Sequence, residues 1–92
     1  MFLNSPIVRD YATSFAARLA PAAKQSLDKA VTEAYRLALN RKPTATELAD
    51  NLAFIKQQAA SYQANGKANA QALALADLGQ VLMSLNEFVY PD

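Results

Sequence analysis

Residues 40–48 read Asn40-Arg41-Lys42-Pro43-Thr44-Ala45-Thr46-Glu47-Leu48, and this stretch decides how the chain folds. Pro43 has no N–H to donate and pushes Lys42 into extended backbone, so a helix arriving from the N-terminal side must stop here. Thr44 and Glu47, three residues apart, form the signature of a capping box that starts a new helix. One short stretch therefore ends one helix and begins the next.

Reading forward, Leu48, Leu52, Ile55, Ala59 and Tyr62 recur at three- and four-residue spacing and predict the buried stripe of the new helix. Phe54 falls off that stripe, so it marks either an interaction surface or a wider buried face. Asn65-Gly66 ends the helix, because both residues tolerate the left-handed backbone that closes one. Gln63 to Asn69 is the most polar stretch and reads as a loop. A further helix is expected from about Ala70 to about Leu85, apolar on most sides through Leu73, Leu75, Leu78, Val81, Leu82, Met83 and Leu85. Such breadth predicts a central helix with several neighbours. Gly79 inside it weakens the helix and lets another backbone come close. The tail Asn86-Glu87-Phe88-Val89-Tyr90-Pro91 is aromatic-rich and is expected to fold back on the bundle.

Reading backward, Leu27, Val31, Ala34, Tyr35 and Ala38 form the stripe of a helix expected from about Ala22 to about Asn40. Lys29, Glu33 and Arg36 lie on its solvated side at pairing distance, and Arg36 and Arg41 complement its dipole at the C-terminal end. Ahead of it, Ser5-Pro6 predicts a capped start. Val8, Tyr11, Ala12, Phe15 and Leu19 make the first stripe, and Pro21 is expected to end that helix near Leu19 or Ala20. The fold class predicted is all-α, a compact bundle of about four helices with an aromatic C-terminal tail, in a single domain over residues 1–92.

Composition narrows the chemistry. The 92 residues are 52% hydrophobic, much of it alanine, so thin side chains must be offset by close helix packing. There is no cysteine and no histidine. Thiolate nucleophiles, cysteine-held zinc, covalent haem attachment and the commonest general base are excluded within this chain. The serines and threonines have no histidine to activate them, and two glycines make no phosphate loop. Net charge is +1, without the basic excess of a nucleic-acid module. It is unevenly spread: seven Lys/Arg against three Asp/Glu over residues 1–42, and two against five over 43–92. The halves should attract weakly across the fold, and a nucleic-acid role would need the basic half to form one continuous face. No apolar run approaches a membrane span, and Met1–Pro6 lacks the basic and apolar regions of a signal peptide.

Individual side chains read mostly as structural. Glu47 and Asp50 are three apart and could share a proton or a metal, but a cap and a dipole partner account for them. Asp77 lies in the most apolar helix, so it should sit at a helix edge or pair with an arginine or a backbone donor. Arg41 is expected to cap helix carbonyls and Lys42 to be solvated, although the pair could contact a phosphate or an acidic partner. Tyr11, Phe15, Tyr35, Tyr62, Phe88 and Tyr90 read as packing residues. No catalytic, cofactor-binding or metal-binding residue is assigned, and no cofactor.

Three segments together carry a resemblance: Phe2-Leu3-Asn4-Ser5-Pro6-Ile7-Val8; Tyr35-Arg36-Leu37-Ala38-Leu39-Asn40-Arg41-Lys42-Pro43-Thr44 with Glu47-Leu48; and Ala76-Asp77-Leu78 followed by Ser84-Leu85-Asn86-Glu87-Phe88-Val89-Tyr90. In that order they resemble the C-terminal helical part of a planctomycete-type domain of unknown function that accompanies planctomycete cytochrome c domains in large bacterial proteins. The first and last segments are the more specific. Asn40, Lys42 and Gly79 depart from the pattern, standing where it has a glycine, a proline and a cysteine-like residue. The resemblance implies a C-terminal fragment of an exported or cell-envelope protein, and proximity to haem c without haem binding by this chain. Its expected partner is the rest of that parent; no nucleic acid and no membrane insertion are expected. An isolated fragment could instead pair with a second copy. The function expected is a non-enzymatic scaffold or protein-interaction module. The alternative is part of a catalytic domain, one acting on polysaccharide, completed by a missing N-terminal region, with Asp77 or Glu87 contributing.

Overall fold

Four helices account for nearly all of residues 6–85, which the computed structural model describes, with side chains from Arg9 onward. They are α1 (Pro6–Gln25), α2 (Leu27–Leu39), α3 (Ala45–Ala64) and α4 (Ala70–Met83). The fold is an all-α bundle, as the periodicity predicts. The expected Ser5 cap and the aromatic tail from Asn86 lie outside the described residues.

α4 is the central element. It packs against α1, α2 and α3, whereas among the described residues the backbones of α1 and α3 do not come into contact. Its buried residues Ala70, Ala74, Leu78 and Leu82 form one row, and Leu75, Gly79 and Met83 the next. Two adjacent rows make a face wide enough for helices on both sides. The breadth is nevertheless narrower than its composition suggests: Val81 is exposed, the one large apolar side chain to be so among the described residues. Around α4 lie Phe15, Leu19, Val31, Tyr35 and Ile55, all buried. Phe54 is half-buried and packs against this same core, so it widens the buried face of α3.

The α1–α4 contact is set by a missing side chain. A Cβ on Gly79 would stand 2.9 Å from Cδ2 of Phe15. The neighbour that the glycine admits is thus an aromatic ring, not the backbone expected. One turn further along, Ala12 packs on Met83, so the two helices run antiparallel.

The first helix does not end at Pro21. It runs through to Gln25, and the break falls at Ser26. The proline forfeits the bond to the carbonyl of Ala17, but both residues are exposed, so water can take that carbonyl and the ring points outward. Leu19 is fully buried on one side of Pro21 and Ala23 packs against the core on the other, which holds the helix through the defect. The second helix therefore starts at Leu27 instead of near Ala22. Ser26 is extended (φ −167°, ψ 154°) and its hydroxyl accepts the N–H of Lys29 at 3.1 Å. Asp28 in the first turn adds a favourable charge.

The breaks expected before Pro43 and after α3 are present, with details the sequence did not specify. Asn40 takes the left-handed conformation (φ 58°) and donates its N–H to the Arg36 carbonyl, closing α2. Thr44 and Glu47 form the reciprocal capping box of α3. After α3, Gly66 adopts positive φ (76°), whereas Asn65 does not (φ −96°).

Replacing Gly79 by alanine tests the contact. Helix propensity alone favours the change by about 1 kcal/mol. Displacing the buried Phe15 ring costs about 1–3 kcal/mol. Gly79→Ala should therefore lower the urea midpoint of the helical circular-dichroism signal. An unchanged or raised midpoint would show that the ring moves freely.

Candidate functional site

Two polar clusters join helices across the bundle. The first stands at the turn between α2 and α3. Arg41 places Nη1 and Nη2 at 2.8 and 3.0 Å from the two carboxylate oxygens of Glu47, a forked ion pair. It also donates to the carbonyl of Lys42 at 3.1 Å and lies 5.4 Å from the centre of the Tyr35 ring. Its described bonds thus reach forward to α3, since the Pro43 turn brings Glu47 alongside. Asn51 donates to the Tyr35 hydroxyl at 2.9 Å and to the Glu47 carbonyl at 2.7 Å, tying the two helices one turn further in. Of the expected attraction between a basic first half and an acidic second half, the Arg41–Glu47 pair is the described instance. The other described pair, Arg36–Glu33, lies within the first half.

The hydrogen bonds from Arg41, then the backbone bond from Thr44, draw the Glu47 carboxyl down from its ordinary 4.5 to about 2. Glu33 is also lowered, by its bond to Arg36. Asp50, by contrast, is exposed, and it shares no described bond with Glu47.

The second cluster is at Asp77. Its Oδ2 accepts from Gln58 Nε2 at 2.8 Å and from the Tyr62 hydroxyl at 2.7 Å. Asp77 is half-buried, and its described donors are neutral side chains of α3, not the arginine or backbone group expected. Gln58 and Tyr62 are four apart, hence on one face, and both reach α4 there. The carboxylate holds the phenolic proton and raises the Tyr62 pKa. Chemically this is a carboxylate with two donors directed at one oxygen. It is an anchor between α3 and α4 and the nearest approach to a reactive constellation among the described residues. Glu87, the other acid considered for catalysis, lies outside them.

A groove of about 420 Å³ runs between α1 and α4. Its walls are mainly alanine (Ala16, Ala20, Ala23, Ala72 and Ala76) with Leu73 and Leu75, and Lys24 and Asn69 stand at one end. Asp77 does not line it, so the polar cluster and the concave surface are separate. Among the described residues no group of three or more acids, histidines or cysteines could hold a metal, and no helix is long and apolar enough to cross a membrane.

Geometry thus defines the class: a capped four-helix module pinned by two interhelical polar anchors. Comparison of the chain with protein-family models, with curated proteins and with solved structures gives no match.

Two measurements follow from the anchors. Since the folded-state pKa of Glu47 lies below its ordinary value, its contribution to stability is full above about pH 4.5. It is lost as pH falls through about 2. Glu47→Gln keeps a capping side chain but removes the charge. The urea midpoint of the wild type should fall more steeply over that range than that of the variant; parallel curves would contradict the ion pair. At the second anchor, Tyr62→Phe should cost about 1 kcal/mol by urea unfolding. The loss should shrink in an Asp77→Asn background. Full additivity of the two substitutions would mean that the hydroxyl and the carboxylate do not interact.

Proposed function

We propose that this chain is a non-enzymatic helical scaffold or protein-interaction module within a larger bacterial envelope protein. The observation that carries the reading is the placement of Asp77. The acid with the best claim to chemistry accepts two hydrogen bonds in an interhelical anchor and stands apart from the concave surface. Glu47 and Glu33 are likewise paired with arginines in positions that cap or brace helices. The envelope setting and the parent protein rest on the resemblance of the three segments at the start, centre and end of the chain to the planctomycete-type domain. In that setting the partner is the rest of the parent polypeptide.

One observation favours the alternative, a part of a catalytic domain acting on polysaccharide. Asp77, Tyr62 and Gln58 form a side-chain set able to hydrogen-bond a hydroxylated ligand. Separation of that set from the groove counts against it.

The test is calorimetric titration of the chain with the separately produced remainder of its parent, using wild type and Asp77→Asn. The scaffold reading predicts a complex of the same affinity with both, within about threefold. Absence of binding by the wild type would refute it. So would a hydrolytic activity of the assembled protein that Asp77→Asn abolishes while the complex still forms.

A further inference from the structure

The boundary between α1 and α2 is one residue. Every residue from Pro6 to Leu39 is helical except Ser26. Even there the backbone ladder is almost continuous: the N–H of Ser26 bonds to the Ala22 carbonyl at 3.1 Å, and its own carbonyl accepts the N–H of Ala30 at 3.2 Å. The Lys29 ammonium reaches Gln25 at 2.6 Å, an i,i+4 bridge across the corner that an unbroken helix would also accommodate. Two torsions at Ser26 thus separate the folded corner from one helix running from Pro6 to Leu39, about 50 Å long at 1.5 Å per residue. Straightening would offer the N–H groups of Leu27, Asp28 and Lys29 the carbonyls of Ala23, Lys24 and Gln25. It would forfeit the Ser26 cap.

A straightened chain cannot keep α1 on its own core. Among the described elements α1 packs on α2 and α4, and its Phe15 and Leu19 are buried there. A second copy of the same chain supplies an identical seat. We propose that Ser26 is a hinge through which two copies exchange α1, forming a domain-swapped dimer in which α1 and α2 are one helix. Each α1 then lays its Phe15 on the partner's Gly79 and its Ala12 on the partner's Met83. All bundle contacts are kept and the corner alone changes, which is the low-cost route to a dimer. Exchange needs α1 to leave the core, so the dimer forms on refolding at high concentration and persists on dilution.

The test uses the absence of cysteine. Ala20 and Ala72 are exposed on opposite walls of the α1–α4 groove. In Ala20→Cys/Ala72→Cys a short bismaleimide joins the two walls. In the folded monomer the product has the denatured mass of one chain; in the swapped dimer the walls belong to different chains, and it has the mass of two. Wild-type and Ser26→Ala versions are refolded from denaturant across a concentration series, sized by light scattering and cross-linked. Ser26→Ala removes the cap in the closed form, twice per dimer, and should raise the dimerisation constant on the order of 30-fold. Ser26→Asp keeps a cap and should behave as wild type. A Ser26→Ala chain that stays monomeric at every concentration overturns the proposal. A dimer whose cross-link remains within one chain also overturns it, since that is association through the surface. Should Ser26→Ala fail to fold, the wild-type series decides. Interchain product rising with refolding concentration supports exchange, and its absence at the highest concentration refutes it.

Discussion

The Phe15 ring seated where Gly79 has no side chain sets the distance between α1 and α4, and the rest of the bundle is arranged around that contact. In a chain whose hydrophobic content is so largely alanine, burial per side chain is small, and stability depends on helices lying close. Gly79 supplies closeness at the point where the core places a large ring. Ala12 on α1, packed on Met83 of α4, continues the close approach one turn away. The same thinness leaves the α1–α4 groove, where alanines face one another without a large side chain to fill the space.

Polar side chains then fix what apolar packing leaves adjustable. Leu and Ile at the α3–α4 interface could settle in more than one rotation. Asp77 accepts from Gln58 and Tyr62 in only one, so the anchor sets the rotation of α3 on α4. At the opposite edge, Arg41, Glu47, Tyr35 and Asn51 set the α2–α3 turn. Each anchor links neighbours in sequence order, and between them they hold three of the four helices. The corner between α1 and α2 has no such side-chain clamp among its described bonds. It rests on the Ser26 hydroxyl, the backbone bonds on either side, the Lys29–Gln25 bridge and packing.

Much of this was legible from residue order. Pro43 with Thr44 and Glu47 marked the central turn because a missing donor and a reciprocal cap are local properties of the chain. The central place of α4 followed from apolar residues on more than one of its sides. Pro21 misled for the converse reason: its local preference to end a helix is overridden by the burial of Leu19 and the packing of Ala23, which a reading of neighbours along the chain does not register. Ser26 was missed because no Glu or Gln stands three residues on; Ser26 followed by Asp28 was the signal available. At Gly79 a neighbouring backbone was expected, and the Phe15 ring found there was not foreseen, since 64 positions separate them. Gln58 was not singled out in the sequence at all. Its four-residue spacing from Tyr62 was the clue that both could reach one acceptor, but which acceptor depends on how α3 lies against α4.

The functional reading follows from the same economy of side chains: acids and arginines near the helix ends and interfaces serve the fold, and the concave surface is apolar. The central claim beneath it is that α4 is the element on which the other helices depend. Native-state hydrogen exchange tests this most directly, amide by amide. The account predicts that amides from Leu75 to Leu82 exchange slowest, only through global unfolding, with α1 and α3 opening at lower free energy. Slower exchange in α1 or α3 than in the middle of α4 would contradict it.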